Sequence, residues 1–298
     1  MLKGYYCPDG EQITVEDCLK KCRLGERCLT LPTLKLISNE REWNGVASTT
    51  QLIQGTMEAW LKLTQPYYIY PKSRAFMLAG TWHHKSLEDV AKELGLPSEV
   101  ALSVDRDIFD LIELSDDGLV ITDYKLWGSY HIVKALGITQ TGKIPDQSGA
   151  IYQKSGAWGK AGSPKMVNKF DIIPDNADMW ETEFQLNNYR VKLQQLGIKI
   201  AKMQVQATVR DGGLAVATGR GVIENIYKIP VRQLQDNDVI EYFTYKDTCL
   251  KEALEHGWTE PCSERESWEG NKCRGYCDVW FCCSKGKLIR SIESRGEK

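Results

Sequence analysis

The sequence predicts an α/β fold, and three observations carry that prediction. The hydrophobic period changes from helical to strand-like at 108–125 and returns to helical spacing afterwards. Strand-like and helix-like stretches then continue to alternate through the middle of the chain. Of 298 residues, 42% are hydrophobic and 26% charged, a globular balance and long enough for one large domain or one core with small appendages. The chain has no run of ~18 apolar residues, so no transmembrane helix is expected. Residues 1–10 show no apolar signal region. A cytoplasmic protein without membrane contact is therefore expected.

Taken in order, 33–43 has mixed, helical character. Ser48, Thr49 and Thr50 form a helix N-cap region ahead of a helix over 51–63. Residues 67–71 read as a proline-bounded aromatic loop, and 73–94 as a long helix carrying Gly80, His83, His84 and Glu88. Strand-like residues fill 108–114, the turn signal Asp116-Asp117-Gly118 follows, and 119–125 is a second strand, so the pair predicts a β-hairpin. Helical spacing returns over 127–136. The Gly-, Lys- and Ser-rich stretch 145–174 reads as a long irregular insertion. A strong helix is expected at 178–196, strands at 201–209 and 225–229, and a helix at 236–256.

Ten cysteines are the compositional anomaly, and they are not scattered. Cys7, Cys18, Cys22 and Cys28 lie near the start; Cys262, Cys273, Cys277 and Cys283 lie near the end. Both quartets read C-x10-C-x3-C-x5-C, the one internal repeat in the chain, and Cys249 and Cys282 are spare. In a reducing compartment such cysteines are metal ligands or free thiols rather than disulfides. Four thiolates make a closed tetrahedral shell for Zn²⁺ and equally suit an iron–sulfur cluster; spacing does not separate the two.

The hairpin carries the chemistry. Side chains alternate along a strand, so Asp123 and Lys125 face the same side, and the hairpin can bring Asp110 beside them. Two carboxylates and the backbone carbonyl of Tyr124 suit Mg²⁺ or Mn²⁺, which prefer oxygen donors. Such an ion activates water and stabilises charge on a phosphate, and Lys125 can orient or help deprotonate that water. The pattern D-x-K alone is common on surface hairpins, so further signals are needed. Gln185 and Tyr189 stand four apart and share one helix face. His83 and His84 point about 100° apart on their helix, so only one faces a given site, where it adds a nitrogen ligand.

In this order the residues resemble the RecB-like branch of the PD-(D/E)xK nucleases. They comprise G-x3-H (Gly80, His84), a strand Asp (Asp110), D-x-K (Asp123, Lys125), Q-h-x-x-Y (Gln185, Leu186, Tyr189) and a cysteine cluster. The group most similar is the CRISPR-associated RecB-like nucleases and related phage and bacterial proteins. Residues 48–52 also resemble the opening helix of that group, and the resemblance spans about 48–283. It implies a restriction-endonuclease-like core, a central mixed sheet flanked by helices. It implies a divalent ion on His84, Asp110 and Asp123, a catalytic lysine at 125, and cleavage of DNA at single-stranded ends or flaps. It also implies an iron–sulfur cluster near the C-terminus, and a bacterial or phage-infected cell as the setting.

The expected organisation is an N-terminal four-cysteine metal-binding element at 1–32, a helical region with G-x3-H at 33–100, a nuclease core at 101–258 and a C-terminal four-cysteine metal-binding element at 259–298. Three departures from the family pattern stand out. Asp123 replaces the frequent Glu before the lysine, Asp107 stands where glycine is common, and 54–57 lacks the family's distant cysteine. Each quartet is therefore self-contained, which favours two structural zinc sites, with a [4Fe-4S] cluster at the second or a site shared by both ends as alternatives. The net charge of −2 excludes a protein that coats nucleic acid, but not one that concentrates its basic residues along a groove. Trp127, Tyr130, Tyr152 and Trp158, near the hairpin or in the basic insertion with Lys154, Lys160, Lys165 and Lys169, suggest a wall for a single strand. The competing reading is a non-catalytic DNA-binding or assembly subunit of a recombination or defence complex, whose cysteine modules dock protein partners.

Overall fold

A computed structural model describes residues 1–40, 42–102 and 107–296. The fold is α/β with mixed sheets. Its strands are β1 (Leu2–Tyr6), β2 (Gln12–Thr14), β3 (Tyr67–Ile69), β4 (Ser98–Ala101), β5 (Ile108–Ser115), β6 (Gly118–Trp127), β7 (Ile138–Pro145), β8 (Met166–Ile172), β9 (Ile200–Val209) and β10 (Ile226–Pro230). Its helices are α1 (Val15–Lys20), α2 (Leu31–Ile37), α3 (Thr49–Ile53), α4 (Thr56–Thr64), α5 (Ala75–Glu93), α6 (Ser129–Leu136), α7 (Trp180–Gln195), α8 (Ala215–Thr218), α9 (Asp236–His256), α10 (Asn271–Gly275) and α11 (Ser284–Gly296).

The central sheet runs β10-β9-β6-β5-β4. Strands β6 and β9 are its middle because they are rich in β-branched residues and apolar on both faces. They pair in parallel, from Leu119 opposite Ile200 to Trp127 opposite Val209, whereas β5 and β10 join antiparallel at either side. A parallel pair needs a long crossover, and here α6, β7, β8 and α7 provide it. Helix α7 lays Leu186, Tyr189 and Leu193 against Ile121, Met203 and Val205. Leu87 and Ala91 of α5 pack on Leu111 and Tyr124. Positions 121 and 124 are an odd step apart, so α7 and α5 cover opposite faces. Helix α9 closes a further cluster, with Val239, Phe243 and Leu250 against Leu52 and Ala59.

Several elements depart from the sequence expectation. The helix expected over 51–63 is two, α3 and α4, broken at Gln54 and Gly55; Gly55 has φ +104°, outside helical space. The expected aromatic loop at 67–71 contains β3, whose partner is the first strand of the chain. The expected irregular stretch 145–174 includes β8, and it is the outer part of a two-stranded arm with β7. The N-terminal element holds two strands and a helix that no periodicity announced. The chain's two ends share one apolar cluster containing Tyr5, Cys18, Leu34, Val279 and Cys283. Among the described residues no helix is long and apolar enough to cross a membrane.

Candidate active site

The register of the β5–β6 hairpin sets the site. Leu111 stands opposite Thr122, and Asp110, one residue earlier, lies within electrostatic reach of Asp123. Asp110 Oδ2 accepts the Tyr124 backbone N–H at 2.7 Å and lies 3.3 Å from His84 Nδ1. Asp123 Oδ2 lies 2.7 Å from Lys125 Nζ. That approach is an ion pair off the hydrogen-bonding directions, because the same buried oxygen has no hydrogen-bond partner. Asp123 is only 4% exposed, so its charge depends on its neighbours.

The electrostatics follow. Burial pushes the Asp123 carboxyl above its ordinary range, and the Asp110 charge adds to this against the pull of Lys125. Burial alone would lower the Lys125 ammonium, but the two aspartates outweigh it and hold its pKa above the usual value. Contact with Asp110 raises His84, against burial. His83 goes the other way, lowered by burial and by His84, and its Nε2 faces Thr208 Oγ1 at 3.3 Å. Of the two adjacent histidines, His84 is thus the one at the carboxylates.

On α7, Gln185 Nε2 donates to the Tyr189 hydroxyl at 3.2 Å. Tyr189 is buried, which holds its pKa well above the usual value, and it lies within electrostatic reach of Asp107, Asp123 and Asp110. Gln185 and Tyr189 therefore pair with each other beside the acids, with Tyr189 a neutral hydroxyl.

Sequence reasoning missed the group that fixes the start of β5. Asp107 is buried and accepts from the Thr49 N–H and hydroxyl, each at 2.8 Å, and from Lys192 Nζ at 2.5 Å. Asn188 Nδ2 donates to Thr49 Oγ1 at 2.6 Å. This network ties α3, α7 and the strand three residues ahead of Asp110. Its signals were in view separately: the Ser48 cap, realised as a capping box with Gln51, and the acid at 107 in place of glycine.

The donors present suit a hard divalent cation: two carboxylates, one buried and ion-paired to Lys125, beside the Tyr124 peptide. Among the described residues, however, no group of three or more His, Cys, Asp or Glu side chains is arranged as it stands to hold a metal ion. The cysteines gather by end. Cys18 feels the charges of Cys28, Cys7 and Cys22, and Cys273 that of Cys283. Cys262 packs on Gly55: a Cβ there would stand 2.8 Å from its Sγ.

No family model matches this chain, and no curated protein matches it. A solved structure described as SSO0001 is similar with a TM-score of 0.41 and 14% identity, over 85% of this chain and 93% of that one. At that level the likeness carries no argument.

Proposed function

We propose that this chain is a divalent-metal-dependent DNA nuclease of PD-(D/E)xK type, hydrolysing phosphodiesters at single-stranded ends or flaps. The observation that carries the reading is the proximity of Asp110, Asp123 and Lys125, with buried Asp123 ion-paired to Lys125 at 2.7 Å and within electrostatic reach of Asp110. Asp110, Asp123, the Tyr124 carbonyl and His84 would hold Mg²⁺ or Mn²⁺, which when bound supplies Lewis-acid activation of water and of the phosphate. Lys125, kept as an ammonium by the two aspartates, neutralises charge that develops on the phosphate oxygens and orients the attacking water. Tyr189, held neutral, and Gln185 supply hydrogen-bond donors on the α7 side. His84 and the Tyr124 N–H fix the orientation of Asp110.

The test is incubation of end-labelled single- and double-stranded DNA with Mg²⁺ or Mn²⁺. Wild type cuts; Asp110→Asn, Asp123→Asn and Lys125→Ala each lower the rate by at least about 100-fold while keeping the wild-type circular dichroism. Equal residual cutting by all three variants marks a contaminant and removes the reading.

The cysteine quartets have a separate, structural role in this proposal. Cys7, Cys18, Cys22 and Cys28 form one metal centre; Cys262, Cys273, Cys277 and Cys283 form the other. Zn²⁺ suits both, and a [4Fe-4S] cluster is the alternative at the second. Elemental analysis of protein purified without oxygen is expected to give metal in proportion to intact quartets, with one equivalent lost in a Cys22→Ser variant. Protein free of zinc and iron discards the centres and leaves the hydrolase proposal standing.

A further inference from the structure

The segment 138–172 leaves the body of the protein as a two-stranded arm. Strands β7 and β8 pair from Ile138 opposite Ile172 to Pro145 opposite Met166, roughly 25 Å of ladder at ~3.3 Å per residue. Hydrogen bonds continue outward despite the Gly- and Ser-rich sequence. Asp146 N–H donates to the Lys165 carbonyl at 2.7 Å, and Tyr152 N–H to that of Ser163 at 3.0 Å. The tip is a two-residue turn, where Gly156 and Gly159 exchange N–H···O bonds of 2.9 and 3.2 Å. The Tyr152 ring lies on Gly159 so closely that a Cβ there would be 2.4 Å from it.

None of residues 138–172 is fully buried. A hairpin with both faces in water has no core of its own and is marginal in isolation. Its outermost ring is nevertheless tryptophan: Trp158, in the tip turn, is 84% exposed. Lys154 and Lys160 flank it. The arm carries five lysines (143, 154, 160, 165 and 169) and two aspartates, Asp146 and Asp171, a net of +3 within a chain of net −2. Lys169 pairs with Asp171 at 2.8 Å; Lys143, Lys154 and Lys160 have no carboxylate partner among the described residues. Positive charge is thus segregated onto a protrusion that ends in a bare aromatic face.

The arm is rooted between α6 and α7. Ile173 N–H donates to the Gly137 carbonyl at 3.0 Å, and Asp178 N–H to that of Lys134 at 2.8 Å. These bonds hold the arm's base to the start of α7, where Glu181 lies within electrostatic reach of both Lys125 and His131.

We infer that this arm binds single-stranded nucleic acid, with Trp158 stacking on an unpaired base and Lys154 and Lys160 on the adjoining phosphates. The inference rests on the nuclease reading and adds how a strand would be held. A polyanion with exposed π-faces matches the segregated charge and the bare ring together; an acidic protein would match only the charge. The Trp158 ring lies in water until it is engaged, so stacking is the step that removes its face from solvent.

The test is fluorescence anisotropy of labelled oligothymidylate and oligouridylate, with a duplex of mixed sequence for comparison. The full chain is used in EDTA so that no cleavage occurs. Trp158→Ala is expected to weaken single-strand binding by roughly 5- to 100-fold with the salt dependence unchanged. Lys154→Gln with Lys160→Gln is expected to flatten the log–log salt slope by about 1.4, near 0.7 for each phosphate no longer neutralised. The two homopolymers distinguish DNA from RNA as the strand held. Unchanged affinity and slope in both variants overturn the arm, whether or not the wild type cuts DNA. A lower molecular mass of Trp158→Ala without nucleic acid, at unchanged affinity, also overturns it and makes the tip a contact between copies. If binding depends on Trp158 but Mg²⁺ and Mn²⁺ never support cutting, the arm stands and the nuclease proposal falls.

Discussion

The two cysteine quartets share one spacing but sit in different physical settings. In the first, Cys7 and Cys22 begin matching turns: Gly10 N–H returns to the Cys7 carbonyl at 2.9 Å and Gly25 N–H to the Cys22 carbonyl at 3.3 Å, each glycine at φ +87°. The four side chains line a cavity of about 20 Å³ with Tyr5, Leu34 and Pro71, close to the room one water or one ion occupies. The second quartet is set against buried charge. Glu58, 3% exposed, bridges Lys62 at 2.7 Å and Lys272 at 2.6 Å, and both Cys262 and Cys277 lie within its field. Burial pushes the Cys262 thiol up to about 11 and Cys277 up to about 12. Spacing alone encodes which sulfurs can gather. It does not encode how much of the fold leans on them, which is set by what chain segments from elsewhere place around them.

The largest effect expected from that difference is at Glu58. Glu58→Gln removes the charge that compensates two cations, Lys62 and Lys272, of which Lys272 is 8% exposed. Breaking a buried pair on one side costs about 3–5 kcal/mol, because the remaining charge stays desolvated. Lys272 also donates to the Gln54 carbonyl at 3.1 Å, so the loss spreads to the α3–α4 break. Urea denaturation followed by tryptophan fluorescence measures it. A change under about 1 kcal/mol would mean that water reaches these groups, and the contrast between the two ends would dissolve.

How much of this was legible follows from the range of each interaction. The hairpin at 108–125 and helix α9 were readable because their periodicity and turn residues are local, and the observed bounds differ by a residue or two. Strand β1 was not: its partners are β2 and the distant β3, and a five-residue strand carries too few alternations to announce itself. The arm was hidden by composition, because an extension with both faces in water needs no apolar alternation. The Asp107 network was hidden because Thr49, Asn188 and Lys192 are ordinary polar residues until the fold brings them to one carboxylate. Its sequence trace was an acid three residues ahead of Asp110.

The finest contrast uses one substitution at both ends. Gly55 and Gly25 each hold positive φ, +104° and +87°, so alanine is strained at either by about 1–2 kcal/mol. Only at Gly55 does the new methyl meet anything: Cys262 Sγ at 2.8 Å and the Glu266 side chain from 3.4 Å, whereas nothing lies within 4 Å at Gly25. Overpacking adds about 1–3 kcal/mol at the buried position. Gly55→Ala is therefore expected to lower Tm by more than Gly25→Ala, and the excess reports on how firmly Cys262 is held. Glu266 is anchored by Lys246 and by the Ser263 N–H at 2.8 Å, so the sulfur has little room to retreat on that side. Equal Tm shifts would show that Cys262 yields freely, and the second quartet would then be no better supported than the first.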